Sequence, residues 1–131
     1  KQNKRNKIWR NSIKGIYHGL YNSARKRGII FDMTLVEFEE WYIAQVRICH
    51  YCGVPEENIV ELGWKIVGRD GRLGIDRMEN PMGYIVKNIC LSCDKCNISK
   101  NNLFSEMEFI EIAMKHIRPK WQRLLSIKRG S

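Results

Sequence analysis

Apolar residues recur at helical spacing between residues 7 and 27, where Ile8, Trp9, Ile13, Ile16, Tyr17, Leu20, Tyr21 and Ala24 define one face. The other face carries Lys and Arg, and Gly28 follows as a residue that ends helices. The pattern predicts a basic amphipathic helix. A second helix begins at Thr34, because Thr34-x-x-Glu37 is a capping box in which hydroxyl and carboxylate each satisfy a free N–H of the first turn. Leu35, Phe38, Tyr42 and Val46 share its stripe. Residues 49–53, CHYCG, form a tight knuckle. The glycines at 63, 68, 71 and 74 predict turns between short strands. Residues 73–78 are strand-like, Asn80-Pro81-Met82-Gly83 is a turn signal, and residues 85–91 form a second β-prone run. Residues 93–102 are helical in pattern. Ser105-x-x-Glu108 then opens another capped helix, expected to end near Ile117 because Pro119 follows. The fold class is therefore α+β: a strand–turn–strand–helix core flanked by helices, with no internal repeat or low-complexity linker.

A length of 131 residues suits one domain. Residues 1–47 supply the basic and capped helices, 48–104 the core, and 105–131 a C-terminal helix and basic tail. No apolar run approaches the roughly 20 residues that span a bilayer, and no secretory signal opens the chain. The expected location is therefore the cytoplasm, a reducing compartment.

Charge changes the picture more than overall composition does. Net charge is +9, and residues 1–27 carry nine basic side chains and no acid; the first is Asp32. A one-sign segment of this length repels itself unless a polyanion neutralises it, and nucleic acid is the usual such partner. Lys7, Arg10, Lys14, Arg25, Lys26 and Arg27 are the expected phosphate contacts on the basic helix, joined by Lys100 further along the chain, with Lys128 and Arg129 near the C-terminus. Such contacts give affinity and salt dependence, not base choice. Asn101, Asn102, Arg69 and Arg72 are candidate base readers.

The five cysteines are Cys49, Cys52, Cys90, Cys93 and Cys96. An odd count without a secretory signal argues against a disulfide framework, and paired C-x-x-C spacing argues for metal. Zinc takes four tetrahedral ligands, two from each knuckle, and Cys49, Cys52, Cys93 and Cys96 supply them. Cys90 and Cys93 are the alternative second pair, but Cys90 lies in a strand-like run and reads better as a small buried apolar residue. Four thiolates close the coordination sphere, so this zinc is expected to be structural.

The run GIDRMENPMGYIVKNICLSCDKCNISKNN resembles the HNH, or ββα-metal, endonuclease motif in its zinc-binding subgroup. Cys49, Cys52, Asp76, Arg77, Gly83, Tyr84, Asn88, Cys93, Cys96, Asn97 and Lys100 fill the places of that pattern across residues 49–102. The resemblance implies a small ββα-metal core and hydrolysis of double-stranded DNA. A catalytic Mg²⁺ or Mn²⁺ would sit between Asp76 and Asn97, oxygen donors of the kind hard cations take. Asn88 matches a middle Asn expected to pin the loop backbone. Most members have His where this chain has Arg77. Arginine stays protonated and cannot deprotonate water, but its fork suits a phosphate in the transition state.

One branch shares the Asp-Arg pair, the rare-cutting restriction enzymes of the PacI type, in which a tyrosine upstream of the first zinc knuckle serves as base. Residues 33–42, MTLVEFEEWY, resemble that segment and make Tyr42 the candidate base, with His50 and His18 as rivals. That branch carries a further cysteine-rich knuckle at its N-terminus, whereas this chain has no cysteine before Cys49. Whether it acts as a homodimer is therefore left open. The competing readings are a catalytically inactive, zinc-stabilised DNA- or RNA-binding module, and a thiol redox protein.

Overall fold

The computed structural model describes Trp9 and residues 11–130. The expected phosphate contacts Lys7 and Arg10 lie outside the described residues. Helix α1 (Ile13–Arg27) starts later than the apolar pattern suggests, because Ser12 caps it: its Oγ accepts from Gly15 N at 3.1 Å. Gly28 ends it in the left-handed region at φ 68°, as its position after the last apolar residue implies. Helix α2 (Leu35–Ala44) opens with the full capping box, Glu37 N to Thr34 Oγ1 at 3.1 Å and Thr34 N to Glu37 Oε1 at 2.7 Å. The two helices pack through rings. Phe38 is fully buried with Tyr17 at 5.8 Å, and the Tyr17 hydroxyl donates to Met33 O at 2.7 Å.

Residues 55–74 are not short strands joined by turns. A 3₁₀ turn (Glu56–Asn58) runs into the short helix α3 (Ile59–Leu62), which buries Ile59 and Leu62, three positions apart on one face. Strand β1 (Gly74–Arg77) then pairs antiparallel with β2 (Ile89–Ser92), in a register that sets Asp76 opposite Cys90. The expected second strand, 85–91, is half realised. Val86–Asn88 is a 3₁₀ turn, because the buried Asn88 side chain is drawn into the preceding loop. At Gly83 (φ 75°) a Cβ would lie 2.6 Å from Ile30 O, so the glycine lets Tyr84 bridge to the segment between α1 and α2.

Helix α4 (Asp94–Lys100) follows β2 directly, completing the strand–strand–helix core. Helix α5 (Glu106–Ile112) opens with the Ser105–Glu108 capping box. Contrary to the sequence expectation, helical structure does not end near Ile117. A π-helical segment (Ala113–Ile117) leads into α6 (Arg118–Lys128). Proline lacks an N–H and disrupts a continuing helix, but the wide turn restarts the ladder and leaves Pro119 in the first turn of α6, where no N–H is needed. Trp121 and Leu125 of α6 are buried, and Trp121 Nε1 and Arg118 Nη1 donate to Cys52 O at 3.1 and 3.2 Å. The C-terminal helix thereby clamps the first knuckle. No helix among the described residues is long and apolar enough to cross a membrane.

Candidate metal centre and cleft

The Sγ atoms of Cys49, Cys52, Cys93 and Cys96 all lie within 4.8 Å of one another, and all four residues are buried. Cys52 Sγ and Cys93 Sγ are 3.8 Å apart; a tetrahedron with metal–sulfur bonds of about 2.3 Å has edges of about 3.8 Å. The quartet thus fits a tetrahedral ion such as zinc. Cys90 is excluded from it and sits in β2, buried, its thiol pushed up chiefly by that burial. Packed together, the four sulfurs hold Cys49 far toward the thiolate through hydrogen bonds from Cys52, Cys93 and Cys96, while Cys93 and Cys96 are pushed up. A bound dication is what lets all four ionise together. Cys93 is also the N-cap of α4, its Sγ accepting from Cys96 N at 3.4 Å. The metal ligands thus set where α4 begins.

That start determines where Asn97 falls. Asp76 from β1 and Asn97 from α4 line one cleft of about 230 Å³, together with Arg27, Arg77, Asn80, Ile98, Asn101 and Asn102. Asp76 Oδ2 accepts from the Tyr51 hydroxyl at 2.5 Å and lies 3.5 Å from Lys100 Nζ. No hydrogen bond or ion pair among the described residues engages Asp76 Oδ1 or the Asn97 side chain. The cleft therefore presents a carboxylate oxygen and an amide oxygen, both uncommitted, and no thiol or imidazole. Such a donor set suits a hard divalent cation. Arg77 Nη1 donates to Asn80 O at 3.0 Å, which leaves most of its fork free.

Asn88 is 2% exposed and holds the loop between the strands. Its Nδ2 donates to Glu79 O at 2.9 Å and Gly83 O at 2.8 Å, and its Oδ1 accepts from Glu79 N at 3.0 Å. Asn80 in turn ties that loop to the end of α4 through Asn101 O at 3.2 Å and Asn102 Oδ1 at 2.7 Å.

Other expected site residues lie elsewhere. Tyr42 is half-buried on α2 beneath the Arg47 guanidinium, 4.4 Å from its ring, and does not line the cleft. His50 sits 2.7 Å from the Glu106 carboxylate, and His18 stacks on Trp9 at 6.1 Å. Neither lines the cleft. Lys100, expected to bind phosphate, is wholly buried; Nζ donates to Arg77 O at 3.0 Å and faces the Tyr51 ring at 5.8 Å, so solvent-side phosphate is out of its reach. Arg129 is paired with Glu61 at 3.0 Å. Lys14, Arg25, Lys26 and Arg27 are exposed on α1, and Arg27 turns the basic helix toward the cleft.

Sequence reasoning missed the partnership of Tyr51, Asp76 and Lys100. Lys100 stands three residues after Asn97, and that i, i+3 spacing was a usable signal for one helix face. Nothing local ties Tyr51 to a carboxylate 25 positions away. Burial first, then the neighbouring Cys90 and Asp76, push the Tyr51 hydroxyl well above the usual phenol range, and here it is the donor to Asp76.

No family model matches the chain. It is 32% identical over 105 residues to protein R423 of Acanthamoeba polyphaga mimivirus, itself uncharacterized; the match takes in 79% of this chain and 17% of that protein. Its fold matches that of the rare-cutting HNH restriction endonuclease PacI with a TM-score of 0.73 and 28% sequence identity, over 85% of this chain and 80% of PacI. The chain has an α+β fold similar to the HNH nuclease fold, with a four-cysteine site, and it resembles the HNH endonucleases.

Proposed function

We propose that this chain is a metal-dependent endonuclease that hydrolyses phosphodiester bonds of double-stranded DNA. The observation that carries the reading is that Asp76 and Asn97 line one cleft together with Arg27 and Arg77. Asp76 Oδ1 and the Asn97 side-chain oxygen would hold Mg²⁺ or Mn²⁺. When bound, such an ion polarises a phosphoryl oxygen and makes water a stronger nucleophile.

The chain's own residues do the rest. Arg27, at the end of the basic helix, draws a phosphate toward the cleft. Arg77 opposes charge developing on the phosphorus oxygens, its orientation fixed by Asn80 O. Asn88 keeps the loop behind both arginine and carboxylate in one conformation. Lys14, Arg25 and Lys26 track the flanking backbone. The geometry gives least to Tyr42 as general base, and Tyr42→Phe decides it: unchanged cutting removes the hydroxyl from the reaction. The fit of the cysteine quartet to zinc and its free thiols suit a structural ion and a reducing compartment such as the cytoplasm.

One observation favours a second reading, an inactive nucleic-acid-binding module: among the described residues no histidine or tyrosine lines the cleft. Supercoiled plasmid incubated with the protein, with and without Mg²⁺ or Mn²⁺, separates the two. The nuclease nicks or linearises it, stops on adding EDTA, and is silenced by Asn97→Ala. Retarded but uncut plasmid at every metal concentration refutes the nuclease. The ends of the products report whether one cleft acts alone or two copies cut opposite strands.

A further inference from the structure

Lys100 is wholly buried, and its ammonium lies 3.5 Å from Asp76 Oδ2. Nothing in nucleic-acid binding calls for a cation there, since no phosphate reaches it. Arg27 and Arg77 line the cleft and Lys100 lies behind it, so three cationic side chains accompany the single carboxylate that lines it among the described residues. The other donor, Asn97, is neutral. A dication approaching the free protein therefore meets net repulsion; the cleft mouth is open and screens the two arginines, but Lys100 lies buried behind the carboxylate, where its charge is poorly screened. A phosphodiester meets the opposite field.

We infer that Lys100 is an internal counter-ion of Asp76 that weakens divalent-metal binding until a DNA phosphate supplies the missing negative charge. This rests on the proposed metal site at Asp76 and Asn97 and adds an order to it: DNA first, then metal. Lys100 does not touch the reacting atoms; it is a positioning residue, holding the Asp76 carboxylate with Tyr51 from behind and setting the charge the metal sees. Metal and DNA are then reciprocally coupled, each tightening the other by the same factor. The arrangement keeps the cleft from capturing a dication without substrate.

The test is Mn²⁺ binding to the full, zinc-loaded chain, read from the free-ion EPR signal without DNA and with a mixed-sequence duplex. Lys100→Met removes the charge; Lys100→Gln removes it while keeping a donor for Arg77 O, in case the methionine variant folds poorly. Zinc content and thermal melting verify folding. Both neutral variants are expected to bind Mn²⁺ on the order of tenfold or more tightly than the unsubstituted chain in the absence of DNA, because a unit charge 3.5 Å from the Asp76 carboxylate is gone. DNA should tighten Mn²⁺ binding to the unsubstituted chain and do so less in the variants. Equal Mn²⁺ affinity for all three proteins without DNA overturns the counter-ion role. Asp76→Asn distinguishes the two failures. If it abolishes Mn²⁺ binding while Lys100→Gln behaves as the unsubstituted chain, only the counter-ion role falls. If it leaves Mn²⁺ binding untouched, the metal site itself is wrong.

Discussion

Replacing Asp76 by alanine does more than remove a metal ligand, because it strands a buried ammonium. Lys100 and Asp76 side chains are 1% and 9% exposed and 3.5 Å apart. At an effective dielectric near 20, 332/(20 × 3.5) puts their attraction at about 5 kcal/mol. Breaking a buried pair by deleting one partner typically costs about 3–5 kcal/mol. Lys100 keeps its hydrogen bond to Arg77 O and the Tyr51 ring, and Asp76 borders an open cleft, so we expect the lower end, about 3 kcal/mol. Removing both charges should restore the part due to the stranded ammonium, while the Tyr51 hydrogen bond lost with the carboxylate stays lost. The assay is equilibrium urea unfolding of zinc-loaded Asp76→Ala, Lys100→Met and the double variant, analysed as a double-mutant cycle. A coupling of about 2–3 kcal/mol is expected. A coupling below about 1 kcal/mol, or a double variant no more stable than Asp76→Ala, refutes the argument that the pair is buried and interdependent. The outcome matters for function: loss of cutting in Asp76→Ala has two causes, whereas Asn97→Ala breaks no side-chain hydrogen bond or ion pair among the described residues and isolates the metal.

Cys96→Ser should lose the structural ion, and with it cooperative unfolding, whereas Cys90→Ala should keep one zinc per chain; atomic absorption on purified protein separates them. Asn88→Ala removes three hydrogen bonds from a buried site and should lower urea stability by about 3 kcal/mol, since each unpaired buried group costs about 1–3 kcal/mol before water relieves some of it. Asn101 holds φ 47° and ψ −137° at the end of α4, a backbone region suited to glycine; Asn101→Gly should raise stability by about 1 kcal/mol in the same assay, and a loss would show that its side chain holds the turn.

Local signals carried much of the architecture. The Thr34 and Ser105 capping boxes, the stop at Gly28 and the two C-x-x-C knuckles depend on neighbours a few positions apart, and the structure contains each of them. The order Asp76, Asn88, Asn97 announced the strand–turn–strand–helix core for the same reason: its chemistry is written at fixed spacings. Failures came where a distant group overrode local preference. Asn88, whose amide closes the loop back to Glu79, turned half a predicted strand into a 3₁₀ turn. Pro119 did not stop the C-terminal helix, because a π-helical turn and burial of Trp121 against Cys52 carried the chain past it. Lys100 looked like a phosphate contact because lysine is usually at the surface. Only packing α4 on β1 revealed that its charge is aimed inward at Asp76. Periodicity and spacing report which groups share a face; what lies across from that face is a property of the folded chain, and there the electrostatics of this cleft are decided.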